Sequence, residues 1–523
     1  MVRVKIHTPS QPVVFEGEPG TMLDDIILSA GLLFDRPCGG RGKCGKCRVK
    51  TSGGLSGATE IEKKKLSKSD MDSGVRLACQ TRVIGDAEVW FESEVVFSDK
   101  TFDLGYDLSG ISGELGLAID LGTTTVAAFV VGLADGKVYA GNATLNLQKN
   151  YGAEVMSRLM EGDKDPDRLK ELAWQSVREA VKGLDLSADV RSRIKRAVTV
   201  GNSAMHHLAM SLPVTNLLQS PFQPHTVAPG RVSGDVLSEL MPNIERVTFA
   251  PLIGGFVGAD ALACFMFFSL GRDADNAALA VDLGTNGEVL LAANGKLLAA
   301  STAAGPAFEA VNISCGMRAE AGAVASVEFS ESAGAKLTTV GQKPAKGICG
   351  SGLISAVKAM LEIGVIDESG RIADRSPADN VKIEVVDEIK RVVLADGVYV
   401  SQSDIRELQK AKGAIRAAAD ILLEHAGLGP HELSRVILTG GFGGRLDPAE
   451  VLALGVLPDV PVSRVHSIPN GAGMGAAMML DDDTFRESQE LAERIEHVEL
   501  NLDPAFMEKY VSSMMLGDDG REM

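Results

Sequence analysis

The chain carries two stretches of the same pattern. "LAIDLGTTTVAAFVVGLADGKVYAGNAT" begins at residue 117 and "LAVDLGTNGEVLLAANGKLLAASTAA" at residue 279. Each copy is an apolar run closing on Asp-Leu-Gly-Thr, a short turn, a second apolar run, an Asp-Gly or Asn-Gly dipeptide and a third run. Those dipeptides between apolar runs predict β-hairpins, because the tight hairpin turn needs positive φ at its central residues. Helical periodicity follows the copies at 168–184, 352–364 and 404–427. A duplicated meander backed by helices predicts two similar lobes facing each other across a cleft.

The rest of the 523 residues divides around this repeat. At about 150 residues per domain the chain holds three or four folded units. Residues 1–95 read as a small α+β unit. They offer the alternating strands "VRVKIH" and "PVVFE", a helix starting near Thr21 as N-cap and stopping at Gly31, an exposed lysine-rich stretch "EKKKLSK", and a late strand "AEVWFE". Residues 96–114 form a polar linker, 115–275 and 276–481 the two lobes, and 482–523 an acidic, helical tail with no legible role. The net charge of −18 excludes a nucleic-acid surface. The N-terminus lacks a signal-peptide core, and the longest apolar run, "ALACFMFF" (261–268), is too short for a membrane span and reads as a buried helix. A cytoplasmic protein with no membrane and no nucleic-acid partner is the expectation.

Four of the seven cysteines lie in the first hundred residues, which is not a disulfide framework. "CGGRGKCGKC" places Cys38, Cys44 and Cys47 at C-x5-C-x2-C spacing, and Cys79 follows in "VRLACQTRV". Zinc ribbons use paired C-x2-C knuckles, and only one is present. Plant-type [2Fe–2S] proteins use a close run of three cysteines and a distant fourth. The glycines between the ligands let backbone N–H groups approach cluster sulfurs. A zinc knuckle is the remaining reading of these residues. Residues 1–95 resemble a β-grasp ferredoxin of the adrenodoxin-like branch, which implies a [2Fe–2S] cluster on Cys38, Cys44, Cys47 and Cys79. Cys264, Cys315 and Cys349 sit in apolar or glycine-rich surroundings and read as buried small residues.

Glycine and threonine in the two Asp-Leu-Gly-Thr turns offer N–H groups and hydroxyls to phosphate oxygens. A carboxylate at the strand end, Asp120 or Asp282, can hold Mg²⁺ through water or orient an attacking water. A third glycine cluster, "VILTGGFGGRL" (436–446), would let adenine and ribose lie flat on the backbone. Together these segments resemble the acetate and sugar kinase, heat-shock chaperone and actin superfamily of ATPases. The resemblance implies a first phosphate turn at Asp120, Gly122, Thr123, Thr124 and Thr125, and a second at Gly284, Thr285, Asn286 and Gly287. The adenosine turn falls on Gly440, Gly441 and Phe442, and Glu288 joins Asp120 and Asp282 as a candidate for metal or water positioning. The fold expected is thus α+β and α/β multidomain: a β-grasp ferredoxin followed by a duplicated actin-like, ribonuclease-H-like two-lobed ATPase binding ATP and Mg²⁺.

A [2Fe–2S] ferredoxin fused in this order to such an ATPase resembles the reductive activators of corrinoid-dependent methyltransferases. So do "NLQKNYGAEVMSR" (146–158), "VGNSAMHHL" (200–208), "PFQPH" (221–225), "GGFVGADALA" (254–263), "STAAGPAFEA" (301–310), "GICGSGLI" (347–354) and "NGAGMGAA" (470–477). The resemblance implies ATP-dependent delivery of one electron to a Co(II) corrinoid protein, an upstream reductase or ferredoxin as donor, and room for a homodimer. Some members carry a middle domain, which the short linker suggests is reduced or absent here. Two alternatives stand: an activator of the 2-hydroxyacyl-CoA dehydratase kind, with Cys315 and Cys349 as bridging ligands, or a non-enzymatic redox sensor.

Overall fold

Period-two alternation in the first ninety residues builds a five-stranded mixed sheet. Its strands are Val2–His7, Val13–Gly17, Arg48–Leu55, Val75–Leu77 and Val83–Trp90. The last strand is central, flanked by the first, parallel to it, and the third, antiparallel to it; the second pairs antiparallel with the first and the fourth with the third. Val2, Val4 and Ile6 bury one face against Leu23, Ile26 and Ile27 of the helix Leu23–Ser29. This is the β-grasp arrangement. The computed structural model describes residues 1–7, 13–29, 42, 45, 47–90, 113–152, 154–270, 276–310, 312–330, 334–378, 380–443 and 446–517. Cys38, Cys44 and most of the expected linker therefore lie outside the described residues. Thr21 does not cap the helix; its hydroxyl donates to the Glu18 carbonyl at 2.7 Å.

The lysine-rich stretch is more structured than its composition suggests. It forms two short helices, Glu60–Lys65 and Lys68–Asp72, each opened by a capping box, Thr59 with Glu62 and Ser67 with Asp70. Glu62 is fully buried and accepts from both the Nε and Nη2 of Arg76, from the Leu77 N–H and from the Thr81 hydroxyl. Those four bonds bracket the segment that carries Cys79.

The duplication shows as two six-stranded sheets whose order matches over five strands. In the first, the antiparallel strands Leu115–Leu121, Thr125–Gly132 and Val138–Leu145 are continued by Ile194–Val200, parallel to Leu115–Leu121, then Arg246–Phe249 and Gly230–Ser233. In the second, Ala278–Leu283, Gly287–Ala293 and Lys296–Thr302 are continued by the parallel strands Arg435–Thr439 and Val465–Ser467. The crossover helices fall where periodicity places them: Pro166–Lys182, Gly350–Glu362 and Gln402–Ala426. "ALACFMFF" is indeed a buried helix, Ala259–Phe267. Two small sheets are inserted into the second lobe between residues 323 and 401.

One apolar cluster belongs to both lobes. Phe129 and Val131 of the first sheet and Leu290, Ala299 and Ile437 of the second meet Phe265 and Cys264 of the intervening helix. The segment expected as an acidic tail packs back on the second lobe. Helix Asp482–Arg494 leads to the strand Glu496–His497, which pairs with Lys296–Thr302, and helix Phe506–Ser512 lies on Gln402–Ala426. Phe129 is fully buried in the shared cluster, so Phe129→Ala should cost about 3–5 kcal/mol. Urea unfolding should show both lobes destabilised together; a loss confined to one lobe would argue against a shared core.

Candidate functional site

The two Asp-Leu-Gly-Thr turns are brought face to face. In the first, the Gly122 N–H donates to the Thr125 carbonyl at 3.1 Å, and a Cβ at Gly122 would stand 2.6 Å from that oxygen. Only glycine fits there. The Asn146 side-chain amide donates to the Gly122 carbonyl at 2.9 Å, and that of Asn202 to the Thr123 hydroxyl at 2.8 Å. In the second turn the Gly284 N–H donates to the Asn286 carbonyl at 3.1 Å. The Thr124 and Thr285 hydroxyls then bond to each other across the lobes at 2.7 Å.

The second turn is one residue shorter, which changes what its strands oppose. Asp120 pairs across its hairpin with Ala127, whereas Asp282 pairs directly with Glu288. Gly440, at φ +92°, brings a third strand end against Asp282: a Cβ there would lie 2.2 Å from Asp282 Oδ1. The three segments line one cleft between the lobes. Asp120, Gly122, Thr123, Thr124, Thr125, Asp282, Gly284, Thr285, Asn286, Glu288, Gly440 and Gly441 all reach it. Gly287 instead backs the turn, where a Cβ would meet Ile415 at 3.0 Å. Phe442 stands in the helix Gly440–Gly443, and its side chain lies outside the described residues.

The cleft floor is electrostatically unbalanced. Burial pushes Asp282 up to about 6. Burial, followed by the charge of Asp282, pushes Asp260 up to about 7. Glu288 is raised well above the carboxylate range by burial and by Asp260 and Asp282. The Cys264 thiol, also raised chiefly by burial, donates to Asp282 at 3.7 Å. Carboxylates crowded in this way call for a cation. Among the described residues no group of three or more His, Cys, Asp or Glu side chains could hold a metal ion alone. That donor set suits Mg²⁺, which keeps waters and takes phosphate oxygens as ligands. The Asn470 side-chain nitrogen, buried on the cleft wall without a hydrogen-bond partner, is a donor open to a ligand.

In the ferredoxin unit, Cys47 and Cys79 converge, with sulfurs 3.2 Å apart and no disulfide between them. The bond from Cys47 and those from Gln80 and the Gly42 N–H hold the Cys79 thiol down to about 7, against burial. Two converging thiols with N–H donors aimed at sulfur fit iron–sulfur ligation. Cys315 donates to the Gly397 carbonyl at 3.5 Å and Cys349 to that of Val324 at 3.2 Å. Nothing in that arrangement favours a bridging ligand pair.

Asp260, Asn202, Asn470 and Glu309 were missed as site residues, although each lies in a stretch singled out above: "GGFVGADALA", "VGNSAMHHL", "NGAGMGAA" and "STAAGPAFEA". For Asn202 and Asn470 a polar side chain beside glycine was the available signal; Asp260 and Glu309 have no glycine neighbour.

The raised carboxylates give a pH dependence with a definite sign. Asp260 and Asp282 bind protons more tightly in the folded protein than in the unfolded one, where Asp titrates near 3.8. Their contribution to stability is complete below that value and is lost as pH rises through about 6 to about 7. Without Mg²⁺ the melting temperature should therefore fall across this window. Added Mg²⁺ with nucleotide should raise it more at pH 8 than at pH 5. Equal stabilisation at both would remove the cation site from this cluster.

Comparison with known proteins agrees with both halves. Residues 6–83 match the 2Fe-2S iron-sulfur cluster binding domain, 115–273 the RACo middle region and 276–523 the C-terminal domain of RACo, the ASKHA domain. The RACo middle region falls on the first of the two lobes. The chain is 31% identical over 423 residues to the corrinoid activation enzyme RamQ of Eubacterium limosum, covering 77% of this chain and 70% of that protein. It is 23% identical to the [Co(II) methylated amine-specific corrinoid protein] reductase of Methanosarcina barkeri, covering 77% of each. A solved structure, the reductive activator for corrinoid, iron-sulfur protein, superposes with a TM-score of 0.70 at 26% identity over 99% of this chain and 98% of that one. The chain belongs to the family of reductive activators of corrinoid proteins.

Proposed function

We propose that this protein is an ATP-dependent reductive activator that passes one electron from its [2Fe–2S] centre to a Co(II) corrinoid protein of a methyltransferase system, restoring Co(I). The observation that carries the reading is one chain holding both a converging cysteine site and a cleft that two Asp-Leu-Gly-Thr turns line above an acidic floor. Cys38, Cys44, Cys47 and Cys79 would hold the cluster, which supplies the one-electron couple. Thr123, Thr124, Thr285 and the turn glycines would hold the phosphates, and Asp120, Asp260, Asp282 and Glu288 would hold Mg²⁺ through water.

The pairing has an energetic reason. Plant-type [2Fe–2S] centres sit near roughly −400 mV, and each 59 mV of one-electron shortfall costs about tenfold in equilibrium constant. Nucleotide binding can cover such a gap if it stabilises the complex in which cobalt is easier to reduce. An upstream reductase or ferredoxin would refill the cluster, and a cytoplasmic setting fits both partners.

The purified protein, given a reductant, MgATP and a cognate corrinoid protein, should speed Co(I) formation, read by its absorbance. Cys79→Ser should lose the cluster's visible absorption, drop below two irons per chain and abolish reduction. Cob(I) formation at an unchanged rate without ATP, or with Cys79→Ser, would refute the reading.

A further inference from the structure

Two stretches singled out in the sequence, "NLQKNYGAEVMSR" and "STAAGPAFEA", each contribute a buried charge of opposite sign. Arg158 lies on the helix Val155–Lys164 of the first lobe, fully buried. Its Nε donates to the Gly152 carbonyl at 2.6 Å and its Nη1 reaches the Met205 sulfur at 3.7 Å, but its Nη2 has no hydrogen-bond partner. A guanidinium so placed is costly to keep charged. Burial lowers it to about 9, and the charge of Glu309 opposes that fall.

Glu309 ends the turn Pro306–Glu309 of the second lobe and is 8% exposed, on the cleft wall. It accepts from the Thr285 hydroxyl at 3.2 Å, which is bonded in turn to Thr124 at 2.7 Å. The carboxylate therefore sits at the junction of the two phosphate turns, where a terminal phosphate would enter. Asp260, Asp282 and Glu288 crowd one another elsewhere in the cleft and suit a cation. A carboxylate committed to a cation is a poor base, whereas Glu309 stands outside that cluster, hydrogen-bonded to Thr285 and acting through its charge on the buried Arg158.

We propose that Glu309 is the catalytic residue that orients the attacking water and takes its proton during ATP hydrolysis, with Arg158 as its positioning residue. This rests on reading the cleft as an ATPase site. The water oxygen bonds to the γ-phosphorus while the bond from that phosphorus to the β,γ-bridging oxygen breaks. The proton passes to Glu309, and ADP leaves with the electron pair.

The test uses the full-length chain with MgATP, phosphate release under steady-state conditions and binding of a fluorescent ATP analogue. Glu309→Gln keeps the size and the Thr285 contact; it should lower kcat by about 10²–10⁴ and leave analogue affinity and Tm unchanged. Arg158→Met should lower kcat at least about tenfold without raising KM, and Arg158→Lys, which restores the charge, should recover most of that loss. A wild type that hydrolyses ATP beside a Glu309→Gln variant of equal kcat overturns the assignment alone. So does a Glu309→Gln variant whose affinity and Tm fall with kcat. Arg158→Lys no better than Arg158→Met at equal Tm overturns the positioning role. A wild type that neither binds the analogue nor hydrolyses ATP overturns the ATPase reading itself.

Discussion

The cleft is organised around a concentration of buried negative charge. Asp282 opposes Glu288 across a hairpin, and Asp260 enters from the first turn of the helix Ala259–Phe267. Like charges directly opposite one another destabilise a sheet, and burial magnifies the repulsion. The protein tolerates this because the floor can be protonated or can take a cation. Neighbouring choices follow from it. Residue 440 has no Cβ, because one would stand against Asp282 Oδ1. Cys264 can face Asp282 as a neutral, protonated donor.

The same region is where the lobes are joined. Hydroxyl contact between Thr124 and Thr285 links the turns, and the cluster around Phe129 and Phe265 links the sheets beneath them. A ligand entering between the turns must replace the threonine contact while the apolar cluster below stays packed. In the proposed reading, phosphate bound between the turns would act on the relation between lobes through these few polar contacts. In the ferredoxin unit the corresponding anchor is the buried Glu62–Arg76 pair. It ties a short helix to the strand Val75–Leu77 and so fixes where Cys79 is presented.

Much of this was legible in the chain, for identifiable reasons. The duplicated Asp-Leu-Gly-Thr runs predicted paired hairpins because Asp-Gly and Asn-Gly turns are local features, and the helices at 168–184, 352–364 and 404–427 announced themselves by period. Less legible was Glu62, which lies in a stretch that composition marks as solvated; its burial depends on Arg76, fourteen residues away. Asp260 and Glu309 escaped notice because each belongs to a helix or turn that reaches the cleft only after the lobes assemble. The acidic C-terminus was opaque for the same reason, since its role as an edge strand depends on pairing with Lys296–Thr302.

The sequence by itself determined the modules, the cysteine spacing and the two Asp-Leu-Gly-Thr turns, because each rests on residues close together in the chain. Only the tertiary structure decided that Asp260 and Glu288 crowd Asp282 while Glu309 sits beside Thr285. Local chemistry sets a turn or a hairpin within a few residues. Burial, and the electrostatics that follow from it, depends on which distant segments exclude water from the same volume.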